Sequence, residues 1–102
     1  MSKSYYEETY YKLLGDYFRE RRESKGLTLE ELSNIFKVNR NTYYCYERGT
    51  RACSLELFID LCKYYGDDYL IIFKDLNERT KSIVESKGGK WDLEKRAILN
   101  RQ

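Results

Sequence analysis

The sequence predicts an all-α fold, a bundle of five helices with a helical N-terminal extension and a partly helical C-terminal tail. Apolar residues recur at helical spacing, as at Tyr6, Tyr10, Leu14 and Phe18. The 102 residues include no proline, and the glycines from Gly26 onwards divide the chain into segments of helical length. No segment alternates apolar and polar residues for long enough to predict a sheet.

The first predicted helix begins at Ser4, which forms a candidate capping box with Glu7. It runs to Lys25, with a bend or an interruption near Gly15, and Gly26 ends it. Its tyrosines are Tyr5, Tyr6, Tyr10, Tyr11 and Tyr17. Such a set is typical of helix packing with the hydroxyl groups at the rim, and a dimer surface is the alternative.

Four further helices follow, and each has a candidate N-cap with a short polar side chain. In chain order these N-caps are Thr28, Asn39, Ser54 and either Asp67 or Asp68. The third predicted helix covers about residues 40–48 and ends at Gly49. The composition of residues 69–73 also suits a strand, but their place after a cap favours a helix.

The C-terminal part of the chain is harder to assign. A helical stripe continues beyond Phe73 through Leu76, Thr80, Ile83 and Val84, and further apolar residues follow Gly88 and Gly89. The apolar face of this part has no place in a five-helix unit, so it needs a partner. We therefore divide the chain into residues 1–73, which form the helical unit, and residues 74–102, a tail for dimerisation or partner binding.

The composition excludes several function classes. The chain has no histidine, which removes the usual general base and the usual metal ligand, so we expect no enzyme, no metal site and no cofactor. Three cysteines, Cys45, Cys53 and Cys62, lack the spacing of a metal site and indicate reduced thiols. With neither a secretory signal nor an apolar run of membrane length, we expect a cytoplasmic protein that does not contact membranes.

Charge is distributed unevenly along the chain. The net charge of the whole protein is only +2, but residues 37–53 carry four positive side chains against one negative, Glu47. The four cations are Lys37, Arg40, Arg48 and Arg51. A local excess of this kind matters more for phosphate binding than the total charge does, and a solvated loop is the alternative interpretation.

The same stretch lies in a helix-turn-helix pattern that covers residues 29–48. Two short predicted helices meet there across a turn of three to four residues. Ser33 supplies the small side chain that a close crossing needs, while Leu32 and Phe36 supply apolar contacts. The first turn of the second helix offers Arg40 and Asn41 to solvent.

Residues 14–73 resemble the lambda/434-repressor-like helix-turn-helix regulators, also called the XRE or Cro/C1 type. The matching residues occur in order and at ungapped spacing: Arg22, Gly26-Leu27-Thr28, Glu30-Glu31-Leu32, Val38, Arg40, Thr42, Glu47-Arg48-Gly49, Ser54-Leu55-Glu56 and Gly66. The resemblance implies a five-helix DNA-binding bundle whose third helix, about residues 40–48, enters the major groove.

The resemblance also implies roles for individual residues. Base contacts fall to Arg40, Asn41, Tyr44 and Cys45. Contacts with the phosphate backbone fall to Leu29, Asn39, Arg48, Thr50 and Arg51. Arg22 and Glu47 match a structural ion pair between the first and third helices. Arg suits guanine and Asn suits adenine, whereas Tyr44 and Cys45 are unusual readers of bases.

Some residues depart from the family pattern. Leu29 stands where the family often has Gln, so only its backbone amide is left for a phosphate. Lys37 stands where Gly often adopts a left-handed conformation, at a cost of about 1 kcal/mol. Asp67 stands where a small apolar residue is usual. Two further options are a phosphate contact by Arg21 and a redox switch at Cys45, although Cys45 also suits simple helix packing.

The function implied is that of a sequence-specific regulator that binds double-stranded DNA, a repressor acting as a homodimer on an inverted repeat. Its recognition helices would then lie about 34 Å apart. The expected location is the cytoplasm, in association with the nucleoid. A regulatory protein partner is a further option, and no small-molecule substrate is evident. The alternative is a helix-turn-helix fold used as a protein-interaction module, antitoxin-like or antirepressor-like, which the less polar Leu29, Tyr44 and Cys45 favour.

Overall fold

The structure is a computed structural model that describes residues 5–87. This part of the chain folds into five α-helices. They are α1 (Tyr5–Ser24), α2 (Leu29–Phe36), α3 (Arg40–Arg48), α4 (Leu55–Tyr65) and α5 (Tyr69–Ser86). Residues 5–87 contain no strand, which confirms the all-α prediction and the helical reading of residues 69–73. The candidate cap Ser4 and the tail from Gly88 lie outside the described residues.

The helix ends follow the local capping residues. Thr28 Oγ1 accepts from the Glu31 N–H at 3.1 Å, and the Glu31 carboxylate accepts from the Thr28 N–H at 3.0 Å, which makes a capping box around the predicted N-cap Thr28. The contacts with Thr28 lower the pKa of the Glu31 carboxyl, and the hydrogen bond from the Thr28 backbone N–H has the largest effect. The N-caps of α3, α4 and α5 are Asn39, Ser54 and Asp68. Short polar side chains therefore set where α2, α3, α4 and α5 begin.

Lys37 occupies the turn between α2 and α3 in a left-handed conformation. Its φ is 54°, and it is the one non-glycine residue with a positive φ among the described residues. The Val38 N–H donates to Ser33 O at 3.0 Å and closes the turn behind Lys37. Ser33 is 2% exposed and its hydroxyl donates to Leu29 O at 2.7 Å, so the small residue lies at the crossing as predicted.

Helix α1 runs through Gly15 without a break, so the predicted interruption is wrong. Gly15 lies where α1 crosses the end of α3, and a Cβ at this position would come within 2.7 Å of Tyr46 O. Gly49, which ends α3 with a φ of 74°, lies equally close to α1, since its Cβ would be 2.9 Å from Lys12 Cα. The backbones of α1 and α3 therefore touch, and glycine is required by this contact.

The core is built from α1, α2, α3, α4 and α5 around aromatic side chains. Phe18 packs against Tyr43 and Phe58, with ring centroids 6.5 Å and 6.3 Å apart. Tyr43 is 1% exposed and fills a core position in α3. Further buried residues are Leu13, Leu14, Leu32, Leu61, Cys62, Leu76 and Val84. Cys62 is thus a packing residue.

Helix α5 crosses the domain boundary predicted after Phe73. Its residues Leu76, Thr80 and Val84 are buried, and the helix packs along α1. The Tyr6 hydroxyl donates to Asn77 Oδ1 at 2.6 Å and ties the beginning of α1 to α5. Residues 74–86 therefore belong to the bundle, because their apolar stripe is covered by α1 rather than by another molecule.

Asp67, in the turn between α4 and α5, binds two side chains of α1. The Tyr17 hydroxyl donates to Asp67 Oδ2 at 2.5 Å. Arg21 contacts both carboxylate oxygens, with Nε 2.9 Å from Oδ2 and Nη2 3.0 Å from Oδ1. Burial and the hydrogen bond to Asp67 raise the pKa of Tyr17. These contacts account for the unusual acid at position 67. They also give Arg21 an ion-pair partner within the protein, and its suggested phosphate contact stays a prediction.

Candidate nucleic-acid interface

The first turn of α3 presents the two residues expected to read bases. Asn39 begins the helix, and its side-chain oxygen accepts from the N–H groups of Asn41 at 2.9 Å and of Thr42 at 3.2 Å. Arg40 and Asn41 follow, and both are exposed. Arg40 has no ion-pair partner among residues 5–87, so its guanidinium is available for an external acceptor. The Asn39 oxygen is used in the cap, which leaves its amide NH₂ as the group available for a phosphate.

One turn further along α3, Tyr44 and Arg48 interact with each other. The Arg48 guanidinium carbon lies 5.5 Å from the centroid of the Tyr44 ring, and Arg48 Nη1 donates to the Tyr44 hydroxyl at 3.4 Å. Both side chains are exposed, and a cation over a tyrosine ring is attracted by the negative face of the ring. Tyr44, which is predicted to contact a base, and Arg48, which is predicted to contact a phosphate, therefore lie against each other on the surface of α3.

Cys45 and Thr50 are linked through the end of α3. Cys45 is half-buried and its thiol is free. The backbone N–H of Thr50 donates to Cys45 O at 3.0 Å, and the Thr50 hydroxyl donates to the same oxygen at 3.3 Å. The Thr50 hydroxyl proton is therefore engaged inside the protein. Arg51 follows in the α3–α4 loop, exposed and without an ion-pair partner among the described residues.

Leu29, at the first position of α2, turns its side chain to the protein. The side chain is half-buried and packs against the hydrophobic core. Thr28 caps the N–H of Glu31, and the next bonded amide is that of Leu32, which donates to Thr28 O. A phosphate at this helix end would meet the Leu29 backbone N–H, as expected from the departure at this position.

Arg22 and Glu47 form the ion pair that the resemblance implies. Arg22 Nε and Nη2 donate to the two Glu47 carboxylate oxygens at 2.8 Å and 3.0 Å, and Nη1 donates to Leu27 O at 2.8 Å. The Glu47 side chain is 4% exposed and that of Arg22 is 13% exposed. The hydrogen bonds to Glu47 raise the pKa of Arg22 against the opposing effect of burial. The pair joins α1 to α3 with a two-pronged charged contact.

Burial of Glu47 also sets the charge of the surface. It is the one acidic residue of residues 37–53, and it points into the protein while all four cations of that stretch are exposed. Solvent therefore meets a purely cationic stretch around α3. The nearest acid in sequence is Glu56, which is exposed in the first turn of α4, and on the other side Glu31 is held by the capping box at the beginning of α2.

Two tyrosine hydroxyls lie buried behind this surface. Tyr43 and Tyr65 have hydroxyl groups with no hydrogen-bond partner within the described part of the chain. Burial, followed by the charge of Glu47, raises the pKa of Tyr65 to about 12. Burial likewise raises the pKa of Tyr43. Neither hydroxyl ionises near neutral pH, so both are packing groups rather than chemical ones.

Sequence reasoning missed two contacts around the interface. The Arg21–Asp67 pair joins residues far apart in sequence, and no local pattern signals it. The Tyr44–Arg48 contact has a signal, because residues four apart lie on the same side of a helix.

None of the helices in residues 5–87 combines the length and hydrophobicity of a membrane span.

Comparison with known proteins places these features in a family. The helix-turn-helix domain family matches residues 13–68. Over 70 residues the chain is 35% identical to the cryptic phage CTXphi transcriptional repressor RstR of Vibrio cholerae, covering 65% of this chain and 63% of RstR. It is 29% identical over 69 residues to the HTH-type transcriptional regulator YqaF of Bacillus subtilis, covering 68% of this chain and 91% of YqaF. The chain thus spans less than two thirds of the length of RstR.

A solved structure shows the same fold. The crystal structure of the clp gene regulator ClgR from Corynebacterium glutamicum superposes with a TM-score of 0.63 at 24% identity, covering 78% of this chain and 84% of ClgR. The likeness confirms the arrangement of helices that the sequence predicts. Since the family match covers more than half of the residues and includes α2 and α3, the chain belongs to the helix-turn-helix domain family.

Proposed function

We propose that this protein is a transcriptional regulator that binds double-stranded DNA sequence-specifically, a repressor that acts as a homodimer on an inverted repeat. The observation that carries the proposal is the burial of Glu47 beside Arg22, which leaves the surface of residues 37–53 with four exposed cations and no exposed acid. Such a surface binds the phosphate backbone. RstR, which is named as a transcriptional repressor, is 35% identical to this chain over 70 residues.

In the proposed complex, α3 lies in the major groove with its first turn towards the base edges. Arg40 donates two hydrogen bonds to guanine O6 and N7, and Asn41 pairs with adenine N6 and N7. Tyr44 and Cys45 lie further along the helix and offer apolar contact, for example to a thymine methyl group. Sequence readout therefore depends mainly on the first turn of α3.

Contacts with the phosphates surround the groove. Arg48 and Arg51 bind them with charge, and the Asn39 amide and the Leu29 backbone N–H donate hydrogen bonds. The Thr50 hydroxyl contacts a phosphate in this complex by giving up its bond to Cys45 O. Binding is then strongly salt-dependent, because each neutralised phosphate releases counterions. Repression follows from occupancy of a promoter, and this function places the protein at the nucleoid in the cytoplasm. The chemistry is binding rather than catalysis.

Selection of bound duplexes from a random pool tests the proposal, followed by gel shifts on the selected site and on a scrambled duplex. Arg40→Ala is expected to reduce the preference for the selected site by about 1–3 kcal/mol. Arg51→Ala is expected to weaken binding to both duplexes alike and to lower the salt slope by about one. Lys81→Ala, which removes an exposed cation from α5, is the matched control and is expected to change neither.

The outcomes separate the two uses of the fold. Enrichment of an inverted repeat supports the homodimer, and the reverse pattern in Arg40→Ala and Arg51→Ala contradicts the assigned roles. If no duplex binds at low salt, the DNA-binding proposal fails. In that case the alternative hypothesis, a helix-turn-helix fold that binds another protein, is favoured.

A further inference from the structure

The first turn of α5 carries an unusual concentration of exposed apolar side chains. Leu70 and Ile71 are each 65% exposed and Phe73 is 48% exposed. They account for three of the seven large apolar side chains that are exposed among the described residues, yet they lie within four consecutive positions. A single exposed leucine is normal on a protein surface, whereas a cluster marks an interaction site.

This surface continues onto α1. The Phe73 ring meets the Tyr10 ring edge-on at a centroid distance of 6.3 Å. Phe73 and Tyr10 also line a shallow cleft of about 230 Å³ together with Tyr11. Burial raises the pKa of Tyr10 to about 12, so its hydroxyl stays uncharged at neutral pH, and Glu7 is the acidic side chain at the edge of the cleft. The apolar cluster thus borders a cleft with aromatic walls rather than ending at the edge of α5.

The charges beside the cluster are self-complementary. Asp68, the exposed N-cap of α5, precedes Ile71 by three positions, and Lys74, also exposed, follows it by three. If two α5 helices cross antiparallel with the two-fold axis at Ile71, Lys74 of one copy lies opposite Asp68 of the other. A symmetric interface repeats this pair, because each residue contacts its counterpart in both directions. A parallel crossing would instead oppose Lys74 to itself.

We infer that this face, Leu70, Ile71 and Phe73 with Asp68 and Lys74 beside them, is where a second copy of this chain binds. The inference rests on the proposed function, because an inverted repeat requires two copies, and it names the surface that joins them. It also moves the dimer contact from the tail beyond Phe73 to the beginning of α5. A contact built on three apolar side chains and one charge pair per copy is small, and small interfaces, below about 1,200 Å² in total, are typical of weak association.

Sedimentation velocity of the full-length chain without DNA, over a concentration series, tests the inference. Wild-type protein is expected to pass from monomer to dimer, and Ile71→Asp is expected to remain monomeric. Leu55→Asp is the matched control, since Leu55 is 66% exposed and begins α4, about 15 Å along that helix from the turn that leads into α5. Circular dichroism melting of each variant shows that it is folded.

A charge variant tests the orientation without touching the apolar residues. Lys74→Asp places two acids opposite each other and is expected to raise the dimer dissociation constant by about tenfold or more. Adding Asp68→Asn removes the repulsion, keeps an N-cap residue on α5 and is expected to restore part of the association. Failure of this rescue overturns the antiparallel arrangement.

Other results overturn the surface itself. A wild-type chain that stays monomeric, or a dimer that survives Ile71→Asp, places the contact elsewhere or with another partner. Equal dissociation by Leu55→Asp shows a general effect of surface charge. Because no DNA is present, these results are independent of the proposed function. If the Ile71→Asp variant is monomeric and still shifts a half-site duplex, the substitution has removed dimerisation and left DNA binding intact.

Discussion

Breaking the Arg22–Glu47 pair at one end is expected to destabilise the protein severely. Glu47→Ala leaves Arg22, whose side chain is 13% exposed in the intact pair, without its carboxylate partner, although the bond from Nη1 to Leu27 O can remain. Removing one partner of a buried pair costs about 3–5 kcal/mol, because the remaining charge is uncompensated. This loss is a large part of the free energy of unfolding of a typical domain, which is about 5–15 kcal/mol.

Thermal unfolding followed by circular dichroism measures the effect. With about 4–8 °C lost per kcal/mol for a domain of this size, the midpoint is expected to fall by at least about 12 °C. Asp75→Ala is the control, because Asp75 pairs with Arg79 at 3.6 Å with both side chains more than half exposed. Removing that surface pair is expected to cost less than about 1 kcal/mol.

The double variant Arg22→Met/Glu47→Leu separates the two explanations for a loss of stability. Replacing both charges with apolar side chains leaves no uncompensated charge, so its midpoint is expected to lie well above that of Glu47→Ala. If the double variant is as unstable as Glu47→Ala, the loss comes from packing or from the Leu27 contact. An unchanged midpoint in Glu47→Ala itself would refute the electrostatic reasoning.

Three further predictions concern the backbone and the buried tyrosines. Gly15→Ala is expected to cost about 3 kcal/mol or more in urea unfolding, since its Cβ would overlap the backbone of α3. Gly26→Ala, whose Cβ meets nothing within 4 Å, is expected to cost only about 1 kcal/mol for its positive φ, and equal losses would contradict the close crossing. Lys37→Gly is expected to stabilise the protein by up to about 1 kcal/mol in the same assay, because it relieves a φ of 54°, and a loss would show that the side chain has a structural contact. Tyr65→Phe is expected to leave stability at pH 7 unchanged or higher, because it removes a buried hydroxyl without a partner. The pKa of Tyr65 is raised from 10.0 to about 12, so its contribution is intact below pH 10 and is lost as the pH rises towards 12, where the unfolded chain has already released the proton. Thermal midpoints between neutral and alkaline pH should therefore fall less steeply in Tyr65→Phe, and an equally steep fall would count against burial of this group.

Much of the fold is encoded locally and could be predicted. Thr28 and Asn39 begin helices because their side chains bind amides two or three residues away, so a short stretch of sequence contains the whole signal. Gly49 ends α3 for a reason that is equally local, a positive φ. The helix-turn-helix frame follows from these residues together with the apolar spacing.

Other features depend on contacts between distant residues. Gly15 lowers helix propensity, which suggests a break, but the approach of α3 selects glycine for its lack of a side chain. Asp67 binds Arg21 and Tyr17 across the bundle, and nothing near it in sequence indicates this. The apolar stripe of residues 74–86 predicts a helix but does not reveal that α1 covers it. The DNA contacts assigned to α3 stay predictions, because their partner is another molecule.

The touching backbones of α1 and α3 have a consequence for how an operator is chosen. A helix fixed against its neighbour at Gly15 and Gly49 cannot shift or tilt to follow irregular DNA without backbone overlap. In the proposed complex the adjustment therefore falls on the duplex, which must bend or twist to meet a rigid surface. The energy of that deformation depends on base steps that the protein never touches. Flexible steps between the half-sites should then raise affinity as surely as a matching base does.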